Sequence, residues 1–178
     1  MQIQLRVGIV FPYGGRLFNQ LTVAENLSLP FCYHHNCEAD AGDKRVQHVL
    51  ELMELGELAQ QTPAVITRNL RQRVALARAL VLSPELLFLD NPLAGLDPRE
   101  ARWWLEFLDA LRKGHGVTDG RPLTLVVSTD DLEPWGERGE QFAYLANRRF
   151  VPVGDRAELR NQSTPALREL LPVGWLDE

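Results

Sequence analysis

Pro84-Glu85-Leu86-Leu87-Phe88-Leu89-Asp90-Asn91-Pro92-Leu93-Ala94-Gly95-Leu96-Asp97-Pro98 decides the fold. Four consecutive apolar residues, Leu86 to Leu89, end in a carboxylate. This is the pattern of a strand buried on both faces that delivers Asp90 at its carboxyl end. Ligand chemistry in open α/β sheets sits at such strand ends. Asp97-Pro98-Arg99-Glu100 then supplies an acidic N-cap, a proline at the first helical position and a glutamate at the third. The helix so opened carries Trp104, Phe107, Leu108 and Leu111 on its core side, leaves Trp103 as an exposed ring, and stops near Gly114 and Gly116.

Upstream, apolar positions recur at helical spacing from about Thr67 through Leu70, Val74, Ala77, Leu80 and Val81, ending before Ser83-Pro84. Val46, Val49, Leu50 and Met53 mark another amphipathic helix, with Leu55-Gly56 as its stop. Thr22-Val23-Ala24-Glu25 is a capping box that opens a helix ended or bent by Pro30. Val7 to Phe11 reads as a buried strand running into the turn Pro12, Gly14, Gly15. Downstream, Leu123 to Val127 is a third strand. Phe142 to Leu145 pairs with Phe150 to Val153 across Asn147-Arg148, and a small helix near Pro165 to Leu171 follows. Strands alternating with helices predict a mostly parallel α/β sheet, with residues 22–82 as a helical insertion.

Composition narrows the function classes. At 178 residues, one domain fits better than two, and roughly 70% of the unfolded surface can be buried. Nineteen Lys and Arg against 24 Asp and Glu give a net charge of −5, with the basic residues scattered, so a nucleic-acid partner is not expected. No apolar run approaches the ~20 residues that span a bilayer, and Met1 to Phe18 carries no export-signal pattern, so a cytoplasmic location is the expectation. Cys32 and Cys37, with His34 and His35 between them, match no standard zinc spacing and read as a surface loop.

Three segments taken together carry a resemblance: Leu70-Arg71-Gln72-Arg73-Val74-Ala75-Leu76-Ala77-Arg78-Ala79-Leu80, Pro84 to Asp90, and Pro92-Leu93-Ala94-Gly95-Leu96-Asp97-Pro98. In order, spacing and residue type they resemble the ATP-binding cassette (ABC) ATPases. Gly14 to Asn26 and the tail Ser163 to Leu171 look most like the MCE/Mla-type phospholipid-trafficking ATPase subunits. The resemblance implies an α/β, P-loop NTPase-like (ABC-type) sheet with a helical insertion, lacking the amino-terminal strands and the Walker A loop. It implies one partial nucleotide-binding domain over 1–178, with a helical subdomain at about 22–82 and a Walker B, D-loop and switch core at about 83–178. A phosphate-binding loop needs a Gly-Lys pair, and none occurs; the lysines are Lys44 and Lys113.

Against the family pattern, the positions with a chemical task other than Asp90 depart or double as structure. Pro12 falls where the family's Q-loop Gln would coordinate magnesium and water, and it offers neither an amide side chain nor an N–H. Ile66-Thr67-Arg68-Asn69-Leu70 matches the signature Leu-Ser-Gly-Gly-Gln. Thr67 keeps a hydroxyl, while Arg68 and Asn69 fill the space two glycines leave open for phosphate; Arg68 is also accounted for as a solvated charge at a helix start. Asp90 keeps the Walker B position that could hold Mg through water. Asn91 replaces the catalytic Glu; an amide orients a water but cannot take its proton, which forgoes about 10² to 10⁴ in rate. Asp130 replaces the switch His, and a carboxylate about 4 Å from a γ-phosphate is repelled by ~1 to 4 kcal/mol per charge pair. Asp97 fits the D-loop but is equally accounted for as a helix cap.

The resemblance therefore implies ATP and Mg as the family's cofactors, with binding unsupported without a Walker A loop. It implies an integral membrane permease as partner, beside a second cassette in a homo- or heterodimer, on the inner face of the membrane. Three functions stay open: a degenerate, non-hydrolysing or very weak cassette (a pseudo-ATPase) in lipid transport; an inactive fragment of a split or decayed gene; and an active ATPase completed by a separate phosphate-loop chain.

Overall fold

The computed structural model describes residues 6–35 and 39–161, with side chains in the second helix described from Lys44. Three strands, β1 (Val7–Val10), β2 (Leu86–Asp90) and β3 (Thr124–Ser128), form a parallel sheet in the order β1-β2-β3. The register pairs Val10 with Leu89 and Asp90 with Ser128, so all three strands end at one edge. Between β1 and β2 lie α1 (Val23–His35), α2 (Ala39–Leu52) and α3 (Arg68–Leu80); α4 (Pro98–Lys113) joins β2 to β3. Two compact units result, Met1–Ser128 and Thr129–Glu178. The second holds the antiparallel hairpin β4 (Phe142–Ala146) and β5 (Arg149–Gly154), followed by α5 (Arg156–Asn161). Asn147 and Arg148, both at positive φ, form its two-residue turn.

Local chemistry accounts for the helix boundaries. At α1, the Glu25 amide donates to Thr22 Oγ1 and the Thr22 amide to Glu25 Oε2, the reciprocal capping box. Those bonds hold the Glu25 carboxyl below its usual range. α2 ends in a 6→1 bond from Leu55 N to Leu50 O and a 5→2 bond from Glu54 N to Glu51 O, with Glu54 at φ 58. The stop is therefore Glu54 in the left-handed position, and Gly56 begins a separate 3₁₀ turn. Pro30 does not end α1, which runs on to His35 with Val23 and Leu27 buried beneath it. Cys32 thus lies on a helix, with Ser28 Oγ 3.6 Å from its Sγ; Cys37 and the expected helix near Pro165 to Leu171 lie outside the described residues. The short helix α5, capped by Asp155 and Glu158, has no counterpart in the sequence reading.

The core of the first unit is built from Leu27, Leu50, Met53, Leu76, Leu80, Leu87, Leu89, Trp104, Leu108 and Leu111. Each such side chain contributes about 1.5–3 kcal/mol on burial. β2 is not buried on both faces as its apolar run predicts. Leu87 and Leu89 are fully buried, but Ile9, Phe88 and Val126, which pair across the strands, form an exposed row (53%, 40% and 43%) on the other face. An apolar run identifies a strand without saying which side is covered. Trp103 is likewise not an exposed ring: it stacks on Phe107 at 4.9 Å, and the Arg73 guanidinium lies over it at 3.7 Å.

Candidate functional site

The site is assembled from the carboxyl ends of the strands and the amino ends of two helices. Asp90 ends β2, and beside it in register Ser128 ends β3; Ser128 Oγ donates to Asp90 Oδ1 at 2.6 Å. Asp90 Oδ2 carries no hydrogen bond among the described residues. Asn91 turns the chain out of the strand at φ 44, its amide donating to Ser128 O at 2.8 Å and its carbonyl accepting from Ala94 N at 3.1 Å. The next residue, Pro92, offers its carbonyl to Nε2 of the buried Gln72 at 3.0 Å, which ties the loop after Asp90 to α3.

α3 begins at Thr67, whose Oγ1 accepts from Leu70 N as the N-cap. The Thr67 hydroxyl therefore has a structural occupation. Asn69 Nδ2 donates to Asp97 Oδ2 at 2.9 Å, while Asp97 Oδ1 accepts from the amides of Arg99 and Glu100. The Glu100 amide foremost, with the Arg99 amide and the Asn69 side chain, holds the Asp97 carboxyl below its usual range. Arg68 lies against Gly95, where a Cβ would come within 3.0 Å of the guanidinium, and its guanidinium carbon is 3.9 Å from the centroid of the Tyr13 ring. Pro12 opens the 3₁₀ turn that carries Tyr13, and Gly14 at φ 81 closes it onto α3; a Cβ there would sit 2.9 Å from the Arg71 carbonyl oxygen.

Pro12, Thr67, Arg68, Asn69, Asp90, Asn91 and Asp97 thus all stand on segments of the first unit that meet around α3's start. Asp130 opens the second unit, in a turn where the Asp131 amide donates to Thr129 Oγ1 and the Glu133 amide to Asp131 Oδ1. A clamp below the site joins α3 to α4. Arg73 donates from Nε and Nη2 to the two carboxylate oxygens of Glu100 at 3.1 and 3.0 Å and also meets Glu54 at 3.4 Å. The sequence reading missed Gln72, Arg73, Ser128 and the buried Asn26. Asn26 accepts from Phe18 N and donates to the carbonyls of Phe18, Leu21 and Thr22, shaping the loop behind Pro12. A signal was present: Gln72 falls in the i+4 stripe with Leu76 and Leu80, and Asn26 sits beside Leu27 on the buried face.

Among the described residues no group of three or more His, Cys, Asp or Glu converges as a metal site, and no helix is long and apolar enough to cross a membrane. Asp90 with Ser128 at the strand ends fits a magnesium ion held through water.

A parallel α/β sheet with an acidic strand end, beside two helices whose amino ends face the same edge, is the arrangement that places ligand chemistry at the carboxyl ends of the strands. The chain belongs to the ABC transporter family, whose model matches residues 2–94. It is 29% identical over 170 residues to the methionine import ATP-binding protein MetN of Clostridioides difficile (strain 630), covering 95% of this chain and 50% of that protein. It is 34% identical over 163 residues to the sulfate/thiosulfate import ATP-binding protein CysA 1 of Shewanella oneidensis, covering 88% and 41%. The fold is similar, with a TM-score of 0.68 and 28% identity, to the ATP-binding cassette MJ0796, solved as a dimer in a post-hydrolysis state bound to ADP and Pi. That match covers 84% of this chain and 63% of the other. The chain spans half or less of the length of the two importers.

Proposed function

We propose that this ABC transporter ATP-binding chain is a degenerate cassette, non-hydrolysing or very weakly hydrolysing, that docks on an integral membrane permease from the cytoplasmic side, beside a second cassette. The observation that carries the reading is Asn91. It follows the β2 carboxylate directly, with its backbone fixed by Ser128 and Ala94, and presents an amide where proton abstraction requires a base. The other departures agree: Pro12 brings no side-chain amide, Arg68 and Asn69 fill the signature glycines' space, and Asp130 offers a carboxylate in place of an imidazole. Asp90 and Ser128 would hold Mg, whose chemistry in this family is to neutralise charge on the nucleotide phosphates. Asp97 and Thr67, both engaged as helix caps, preserve the scaffold around them. On this reading residues 1–178 belong to one nucleotide-binding domain, with the helical subdomain at about 22–82 and the Walker B, D-loop and switch core at about 83–178.

For cargo, the likeness of Gly14 to Asn26 and Ser163 to Leu171 to MCE/Mla-type subunits supports lipid trafficking. The names of the relatives, methionine and sulfate/thiosulfate importers, favour nutrient import as a second reading. Affinity purification of the endogenous chain from detergent-solubilised membranes, with intact-mass measurement of the bait, tests the assignment. Recovery of a permease and a complete cassette with it supports the docked subunit, and the permease decides the cargo class. Recovery of the chain alone refutes the docked subunit.

A further inference from the structure

A cleft of about 480 Å³ opens between β1, α1 and α3, and small residues make its floor. Ala75 and Ala79 lie one turn apart on one face of α3, and Gly8 of β1 comes up against them, where a Cβ would be 3.5 Å from the Ala79 Cβ. The walls are Phe18, Leu29 and Tyr33, large apolar side chains that the fold leaves exposed; Leu29 and Tyr33 share one face of α1 at i and i+4. Exposed apolar side chains gathered around one hollow mark a ligand site. Arg78, on the same stripe of α3 as Ala75, lines the cleft with a half-buried guanidinium. Nη1 donates to the Arg16 carbonyl oxygen at 2.9 Å, and among the described residues no carboxylate pairs with Arg78 or lines the cleft. Burial pulls this guanidinium below its ordinary pKa with no acid to offset the lost water. Arg45, Arg73 and Arg156, by contrast, each meet a carboxylate.

We propose that this cleft binds the anion of a medium- or long-chain fatty acid, with the acyl chain against Phe18, Leu29 and Tyr33 and the carboxylate on Arg78. An apolar hollow with one cation in its lining suits an amphipathic ligand of one negative charge. A carboxylate matches the guanidinium fork through two parallel bonds, and Nε and Nη2 of Arg78 bond nothing among the described residues. The inference goes beyond the transporter reading and does not depend on it, because it involves neither Asp90 nor Asn91 nor a permease.

The test titrates the full chain with decanoate and, in parallel, with decanol, by calorimetry at low salt and below the concentrations at which either ligand aggregates. The expected result is saturable one-to-one binding of decanoate that weakens about tenfold in Arg78→Met, while decanol binding changes by less than about twofold. Arg78→Lys, which keeps a cation able to donate to the Arg16 carbonyl, is expected to hold decanoate affinity within about threefold. Tyr33 stands at the surface, so Tyr33→Ser reads the apolar wall with the fold intact, and several-fold weaker binding of both ligands is expected. Arg148→Ala, in the turn between β4 and β5, is expected to leave both unchanged. Absence of saturable decanoate binding, equal losses in Arg78→Met and Arg148→Ala, or a loss in Arg78→Met that is the same for decanol as for decanoate overturns the proposal.

Discussion

Replacing Arg73 with Met removes the clamp between α3 and α4 while keeping the length of the side chain. Arg73 and Glu100 are 9% and 18% exposed at their side chains and share two hydrogen bonds of 3.1 and 3.0 Å. The Met leaves the Glu100 carboxylate largely buried without its cation, and breaking such a pair from one side costs about 3–5 kcal/mol. The contact over Trp103 adds ~1 kcal/mol for the cation on the ring, partly replaced by the Met sulfur. The partial exposure of Glu100 and its second role in the first turn of α4 reduce the cost, so about 3 kcal/mol is the expected loss. Glu100→Leu alone should cost about 2–3 kcal/mol by stranding Arg73, which still meets the exposed Glu54. In the double variant no buried charge is left over, and the combined loss should fall short of the sum by at least ~1.5 kcal/mol. Urea unfolding followed by tryptophan fluorescence measures this, since the Arg73 guanidinium lies over the Trp103 ring. A double variant additive to within ~0.5 kcal/mol would refute the reasoning that the pair acts as a unit.

Three further outcomes follow from the same structure. Asp97→Ala uncaps α4 and frees Asn69, so a loss of about 1–2 kcal/mol in urea is expected, together with loss of the acid-side stability slope below pH 3.8 that the depressed Asp97 contributes. His115 is held below its ordinary value of 6.5 by burial first and by His48 second. Because the unfolded chain takes up the proton first, stability should be at full value above pH 6.5 and decline as pH falls below it, and His115→Asn should flatten that slope in melting curves. On β2, Leu87→Ala is expected to cost about 2–4 kcal/mol while Phe88→Thr on the exposed face costs under ~1 kcal/mol; equal costs in unfolding experiments would mean that the exposed row is covered in solution.

How far the sequence could be read depended on how local each cause was. β2, the Asp97 cap and the Thr22 and Glu25 box were legible because strand runs and caps are written in contiguous residues. α1 running through Pro30 was not, because burial of Val23 and Leu27 outweighs a local breaker. The site residues were legible as positions through the family pattern, but their mutual bonds were not. Asn69 meets Asp97 across 28 residues, Gln72 meets Pro92 across 20, and Ser128 meets Asp90 across 38. Only folding brings such pairs together. Polar residues lodged in apolar stripes, Asn26 and Gln72 among them, were the one local trace of these bonds.

On the proposed function, the cassette scaffold persists while the chemistry at the end of β2 has been replaced. ATP hydrolysis by the affinity-purified complex measures it directly, comparing the native chain with Asn91→Glu combined with Asp130→His. Hydrolysis at or near background is expected for the native chain, with a rise in the double variant. Hydrolysis by the native complex that disappears when Asn91 is changed to Ala would contradict it.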